Sequence, residues 1–205
     1  MDSPAPVILI ATTNQGKLRE VRQVLAGVGV ALRSLADLPQ MPEAVEDGPT
    51  FEANARIKAE HYAKLAGMWV LADDSGLEVE ALNGAPGVHS ARYAGPTRDD
   101  QANNAKLIEA LKDVPPKQRT ARFRCAIALA TPTEVVAVVH GTVEGLIIEN
   151  AQGRNGFGYD PHFLVPALNL TTAQMPPRQK NQISHRGQAL RRIAPVIRKH
   201  VLSHT

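Results

Sequence analysis

The sequence predicts an α/β fold built on a mixed sheet with flanking helices, and three observations carry that prediction. Short apolar runs at Val7 to Ala11 and Met68 to Ala72 end in polar breaks, as buried strands do. After the first of them, Leu18, Val21, Val24, Leu25 and Val28 recur at helical spacing. Two longer β-rich runs, Thr120 to Ala130 and Val135 to Val143, are split by Thr131-Pro132-Thr133 and read as a long hairpin. The 205 residues fit one domain, 1–205, or two lobes sharing a core.

In chain order, the first strand leads into Thr12-Thr13-Asn14-Gln15-Gly16-Lys17, where Thr13 or Asn14 caps a helix that Gly27 or Gly29 ends. Residues 37–50, rich in Pro, Gly and acids, read as a loop. A second helix is expected from about Thr50 to Ala66. The apolar run that follows meets Asp73-Asp74-Ser75-Gly76, read as a turn, and then a short strand from Leu77 to Val79. A loop spans Asn83 to Thr97, and a helix runs from about Asp99 to Leu111, ahead of Pro115-Pro116. Beyond the hairpin, Gly153 to Tyr159 is a Gly-rich loop and Pro166 to Pro177 is irregular. A last amphipathic helix begins near Ser184, and Pro195 is expected to kink or divide it.

Composition narrows the function classes. With 43% hydrophobic and 21% charged residues the chain is an ordinary globular protein. A net charge of +3 is too mild to argue for nucleic acid or membranes, although the pI is near 9.2. The opening Met-Asp-Ser-Pro-Ala-Pro has no basic stretch, so no signal peptide is expected. Cys125 is the single cysteine and lies in an apolar run, which excludes a disulfide framework and favours a buried structural thiol.

Five constellations carry chemistry. Asp73 and Asp74 are adjacent carboxylates that repel unless a cation or a shared proton relieves them, and oxygen ligands of this kind suit Mg²⁺ with a phosphate. The strand–Thr12-to-Lys17–helix segment offers amides, hydroxyls and Lys17 to an anion, or is an ordinary capped helix; it lacks Walker A spacing. Lys58 falls on the inward stripe of the second helix, so it needs an anionic partner or must snorkel to solvent. A phosphate would serve, as would a carboxylate such as Asp73 or Asp74. Glu46, on the preceding loop, is a second metal ligand or an exposed acid. Asn155 to Pro161 places glycines around Phe157, which either stacks on a flat ligand or tucks into the core. Lys180 to Gly187 clusters donors at a helix start, suited to a purine O6 or N7, to a phosphate, or simply to solvent.

Taken in order, these segments resemble the inosine triphosphate pyrophosphatase family, the non-canonical purine nucleoside triphosphate diphosphatases. The matching motifs are Thr-x-Asn-x-x-Lys at 12–17, Glu-x-Gly-x-Thr-Phe-x-x-Asn-Ala at 46–55 and Ala-Asp-Asp-Ser-Gly-Leu at 72–77. They continue with Gly-Ala-Pro-Gly-Val-x-Ser-Ala-Arg-Tyr at 84–93, Gly-Phe-Gly-Tyr-Asp-Pro-x-Phe at 156–163 and Ser-His-Arg-Gly at 184–187. The chain departs from the pattern at Thr13, where many relatives carry glycine, and at Arg178-Gln179, where Glu is frequent. Pro176-Pro177 interrupts what is commonly a helix start.

The resemblance implies Mg²⁺-dependent hydrolysis of ITP, dITP and XTP to the monophosphate and pyrophosphate, which clears deaminated purines from the nucleotide pool. It implies an elongated two-lobed fold with a central substrate cleft and a cytoplasmic homodimer, with no stable nucleic acid partner and no membrane. By motif, Asp74 is the proton acceptor and a metal ligand, Glu46 is the other metal acid, and Asp73 and Lys58 complete the catalytic group. Thr12, Thr13, Asn14, Gln15, Gly16 and Lys17 match the triphosphate-binding loop, which Lys58 also serves, and Ser75 matches a substrate contact. Phe157 matches the stacking ring, with Gly158, Tyr159 and Asp160 forming the base-pocket loop. Lys180, His185 and Arg186 match the group that reads the 6-keto edge. Two rivals stand beside this reading: a non-catalytic nucleotide or RNA binder, and a pyrophosphatase acting on modified pyrimidines.

Overall fold

The computed structural model describes residues 5–204. The start of the chain, read above as lacking a leader, therefore lies largely outside the described residues. Strand β1 (Val7–Ile10) runs parallel to both of its neighbours, β2 (Ala31–Ser34) and β3 (Trp69–Val79). The sheet continues through β4 (Thr120–Ala130), β5 (Val135–Ile147), β6 (Phe163–Val165) and β7 (Leu170–Thr171), in the order β2-β1-β3-β4-β5-β6-β7. Strand β6 is antiparallel to β5 and to β7, so the sheet is mixed, as expected. Five α-helices accompany it among the described residues: α1 (Gln15–Val24), α2 (Phe51–Ala66), α3 (Asp100–Ala110), α4 (Pro177–Ile183) and α5 (His185–His200). Among the described residues no helix is long and apolar enough to cross a membrane.

The chain divides into two compact units. The first takes the chain as far as Asp74, then Cys125–Gly141, then the chain from Arg186 onward; the second takes Ser75–Arg124 and Thr142–His185. In the first unit, Ile8, Ile10, Leu71, Cys125, Ile127 and Leu129 form one apolar face. Leu18, Val21 and Leu25 of α1 and Leu190, Ile193 and Ile197 of α5 cover it. Side chains alternate along a strand, so Leu9, Val70, Ala72, Ala126 and Ala128, all buried, point to the other face. Helix α2 carries Ala55, Ala59 and Ala63, fully buried, which lets its backbone lie close to what it packs on. Thr50 caps it by accepting from the Ala53 amide, and Gly67 ends it at φ +63°, where a side chain would be strained. In the second unit Leu77, Val79, Leu107, Leu111, Phe123, Phe163 and Met175 form a separate core.

The structure corrects the expected elements in several places. Residues 73–76 are not a turn: β3 runs unbroken through Asp73, Asp74, Ser75 and Gly76. The reason is that cations from distant segments neutralise the acids, which removes the objection to placing them inside a sheet. Strand β2 went unread because its exposed edge position imposes no apolar pattern on Ala31–Ser34. Part of the stretch expected to be irregular pairs instead as β7, and β5 extends to Ile147. Pro176 and Pro177 do not interrupt a helix start; they are the N-cap and first residue of α4, where a missing N–H is harmless. Helix α5 is not divided, since it continues through Pro195 to His200.

Candidate active site

Because β3 is continuous, Asp73 and Asp74 point to opposite faces of it, and their surroundings differ accordingly. Asp73 faces α1 and α5. Its Oδ1 lies 2.9 Å from Lys17 Nζ, and its Oδ2 accepts from Arg186 Nε at 3.0 Å and from Cys125 Sγ at 3.5 Å. Arg186, 1% exposed, also donates from Nη1 to Glu20 Oε2 at 2.5 Å. Glu20 and Lys17 stand one turn apart on α1, so this helix supplies both a cation for Asp73 and an anion for Arg186. Burial alone would raise Asp73, but Arg186, Lys17 and Lys58 together hold its carboxyl well below the usual range. Burial pushes the Cys125 thiol well up, with the Asp73 charge adding to it, so this cysteine is an unreactive part of the core.

Asp74 faces α2. Lys58 Nζ lies 3.8 Å from its Oδ1 and 2.6 Å from Glu46 Oε2. Asp74 Oδ2 is buried and has no hydrogen-bond partner among the described residues. Its carboxyl is raised, chiefly by burial and further by the Glu46 and Asp73 charges, against the pull of Lys58 and Lys17. The two neighbouring carboxylates therefore have their pKa values pushed in opposite directions by their surroundings. Burial works against the Lys58 charge, but Asp74, Glu46 and Asp73 outweigh it and raise its pKa.

At the head of α1, Asn14 is the cap: its Oδ1 accepts from the Lys17 amide at 3.0 Å, and its own amide donates to Thr12 Oγ1 at 3.1 Å. Thr13, Asn14 and Gln15 are exposed and Gly16 is buried. Thr12, Thr13 and Gln15 also border a pocket of about 380 Å³, which Leu38, Met41 and Tyr62 help to line. Glu46, Lys58, Asp73 and Asp74 do not line it, so the pocket adjoins the acid cluster's supporting loop rather than containing the acids.

In the second unit, the loop at 156–160 is held by its own acid. Asp160, 2% exposed, accepts at Oδ2 from the Phe157 amide (2.9 Å) and Lys180 Nζ (2.5 Å), and at Oδ1 from Thr172 Oγ1 (2.7 Å). Lys180 Nζ also lies 5.0 Å from the centre of the Phe157 ring, within cation–π range. The Gly158 peptide is gripped at both ends, its N–H donating to Asp100 Oδ2 (2.8 Å) and its carbonyl accepting from Asn104 Nδ2 (2.9 Å). Tyr159 donates its hydroxyl to the Ser90 carbonyl at 2.8 Å, and burial pushes its pKa upward. His185 stacks on Phe123 with ring centres 4.8 Å apart. Phe157 is half-buried, whereas Tyr159 and Asp160 are buried anchors.

Gly156 sits at φ +77°, and a Cβ there would come 2.0 Å from Asp160 Oδ2. Gly156→Ala is therefore expected to push Asp160 off the Phe157 amide and to cost more than about 1 kcal/mol of stability. Urea unfolding checks the stability.

The structure thus brings Thr12 to Lys17, Glu46, Lys58, Asp73 and Asp74 into the first unit, with Arg186, which motif matching had grouped with Lys180 and His185. Ser75, Phe157 to Asp160, Lys180 and His185 belong to the second. Among the described residues no three His, Cys, Asp or Glu side chains form a ready metal cage. Sequence reasoning passed over Glu20, Asp100 and Asn104. Only the i, i+4 spacing of Asp100 and Asn104 on α3 hinted at a shared target.

Comparison with known proteins gives this arrangement a context. A match to the Ham1 family covers residues 8–196. The chain belongs to the Ham1 family. A curated relative from Listeria innocua serovar 6a, named dITP/XTP pyrophosphatase, is 50% identical over 186 residues, or 91% of this chain and 92% of the relative. Among solved structures, a Ham1 protein from Coxiella burnetii superposes with a TM-score of 0.85 at 42% identity, covering 95% of this chain and 99% of that one. One titled nucleoside-triphosphatase / dITP/XTP pyrophosphatase, from Mycobacterium abscessus, gives a TM-score of 0.74 at 46% identity, covering 92% and 99%. The family resemblance read from the motifs is borne out, and the Ham1 match spans both units.

Proposed function

We propose that this protein hydrolyses non-canonical purine nucleoside triphosphates (dITP, XTP and ITP) to the monophosphate and pyrophosphate. The observation that carries the reading is Asp74. A buried carboxylate oxygen without a hydrogen-bond partner stands beside Lys58 and Glu46, on a chain whose curated relatives are named dITP/XTP pyrophosphatases. An unsatisfied buried acceptor with a raised pKa is poised to take a proton from water.

The donor set fits Mg²⁺. Glu46 and Asp74 offer only oxygen, they lie on either side of a cationic group, and one oxygen of Asp74 is orphaned. Mg²⁺ commonly takes one or two carboxylates and completes its shell with phosphates and water, so a pair without a full protein cage suits it. Bound there, Mg²⁺ would neutralise triphosphate charge and make the attacking water more acidic.

The chain's own groups do the rest. Asp74 orients the water and accepts its proton. Lys17, Lys58 and the amides at the head of α1 bind the phosphates, with Thr12, Thr13, Asn14, Gln15 and Gly16 shaping that loop. Ser75 adds a substrate contact. Asp73 does not meet the substrate in this reading; it holds Lys17 in place. Phe157 stacks on the base, Asp160 and Tyr159 hold its loop, and Lys180 and His185 face the base edge. Donors that match a 6-keto oxygen are left unpaired by the 6-amino group of adenine, which disfavours ATP. The reading carries with it one ITPase-like domain of two lobes, a homodimer and a cytoplasmic location, where the nucleotide pool lies.

Pyrophosphate release from dITP, ITP, XTP, GTP, ATP, dTTP and dUTP, with and without Mg²⁺, tests the proposal. Metal-dependent release from dITP and XTP well above ATP is expected. Release confined to dTTP or dUTP would move the enzyme to the pyrimidine class, and no release at all would sink it. Phe157→Ala should raise KM by about fivefold or more while kcat changes less, because stacking on one base contributes roughly 1–3 kcal/mol.

A further inference from the structure

The acid loop that carries Glu46 has no regular secondary structure, yet three bonds fasten it to α2. The Pro42 carbonyl accepts from His61 Nε2 at 2.8 Å, Glu46 Oε2 from Lys58 Nζ at 2.6 Å, and Asn54 Oδ1 from the Gly48 amide at 2.8 Å. A carbonyl only accepts, so His61 Nε2 carries a proton, and the bond survives in either charge state of the ring. The helix partners, residues 54, 58 and 61, follow the i, i+4, i+7 spacing of a single stripe. The loop partners run in the opposite order, 48, 46 and 42, so the loop lies antiparallel along the helix. Residues 54 to 61 span about 10 Å of helix, well short of the roughly 20 Å that residues 42 to 48 reach when extended. The loop is therefore placed by its fastenings rather than by being pulled taut. Gly48 makes the closest approach: a Cβ there would lie 2.7 Å from Asn54 Oδ1 and 2.8 Å from Ala53 Cβ.

Of the three fastenings, only the middle one involves the acid itself. Lys58 holds Glu46 by charge, and that bond is the one a competing cation would replace. We infer that Asn54 and His61 are positioning residues that fix the Glu46 carboxylate beside Asp74 when its bond to Lys58 is given up. This rests on the reading of Glu46 as a metal-binding acid. Asn54, 2% exposed, acts from within the helix packing, whereas His61 acts from a half-exposed site and can be changed without opening the core.

The test uses His61→Ala, His61→Gln and Asn54→Ala in the full chain. Glutamine places an amide donor near the position of Nε2, so it should restore the Pro42 bond. Loss of one neutral hydrogen bond corresponds to about a fivefold change in an equilibrium. His61→Ala should therefore raise the Mg²⁺ concentration for half-maximal activity by about fivefold, with kcat at saturating Mg²⁺ within about twofold of the parent. Hydrogen exchange of the 42–48 amides, followed without metal or nucleotide, should speed up in His61→Ala and Asn54→Ala and return to the parent rate in His61→Gln. Unchanged exchange in both alanine variants would overturn the inference. So would a loss of kcat that saturating Mg²⁺ does not restore in His61→Ala, or a His61→Gln as defective as His61→Ala. If the exchange changes appear but the parent enzyme needs no divalent metal, the fastening stands and the metal reading fails instead.

Discussion

Asp74→Asn is expected to lower pyrophosphate release from dITP by about 10³-fold or more while leaving the fold intact. Removing a general base typically costs about 10²–10⁴ in rate, and under the proposed function the same carboxylate would also hold the metal. Stability should not fall with activity. The Asp74 carboxyl is raised in the folded protein, chiefly by burial. An acid with a raised folded pKa stabilises most below its unfolded pKa, and that contribution is lost as pH rises through the folded value. At neutral pH the ionised side chain thus weighs against folding, and asparagine removes that weight while leaving Lys58 its 2.6 Å partner Glu46. The variant should melt at or above the parent temperature at pH 7.5, and it should gain less stability than the parent as the buffer is acidified. A variant that keeps more than about a tenth of the parent rate would remove Asp74 from the chemistry.

The legible parts of this fold were those that local pattern decides. Helix α1 announces itself by Leu18, Val21 and Leu25 and by the Asn14 cap, and α2 by Thr50 and Gly67 at its ends. Strand β3 was legible as far as Ala72 and then misread, because Asp, Ser and Gly disfavour strands by local preference. What overrides that preference lies far away in sequence: Lys17, Lys58 and Arg186 bring the charge that makes two acids acceptable in mid-strand. The same distance hides the partners at the site. Glu20 looks like any acid on a helix until Arg186 is seen 2.5 Å away, and nothing near Asp100 in the chain points to Gly158. Motifs picked out the groups as a set but could not divide Asp73 from Asp74. That division depends on which face of a strand each residue takes, and a turn has no such faces.

Arg186→Ala should be the most destabilising single change at the site, by about 3–5 kcal/mol in urea unfolding. The guanidinium is buried and bonded to Asp73 and Glu20 at once, so its removal takes a shared cation from two buried carboxylates and leaves Lys17 to hold Asp73. Lysine is a poor substitute, since a single ammonium does not reproduce a fork that meets two separate acceptors. The acid limb of the stability curve separates this role from base recognition. Asp73 is held well below the usual carboxylate range, with Arg186 its largest attractive neighbour. Its ionisation therefore stabilises the parent above the unfolded carboxylate pKa, and that contribution is lost as pH falls toward the folded value. With the guanidinium gone, the folded pKa moves back toward normal, so Arg186→Ala should lose less additional stability than the parent does as pH falls below the usual carboxylate pKa. What folded enzyme remains at low temperature should still prefer dITP to ATP. If instead Arg186→Ala is nearly as stable as the parent and loses its preference for dITP over ATP, the guanidinium reads the base, and its bonds to Asp73 and Glu20 are only where it rests before substrate arrives.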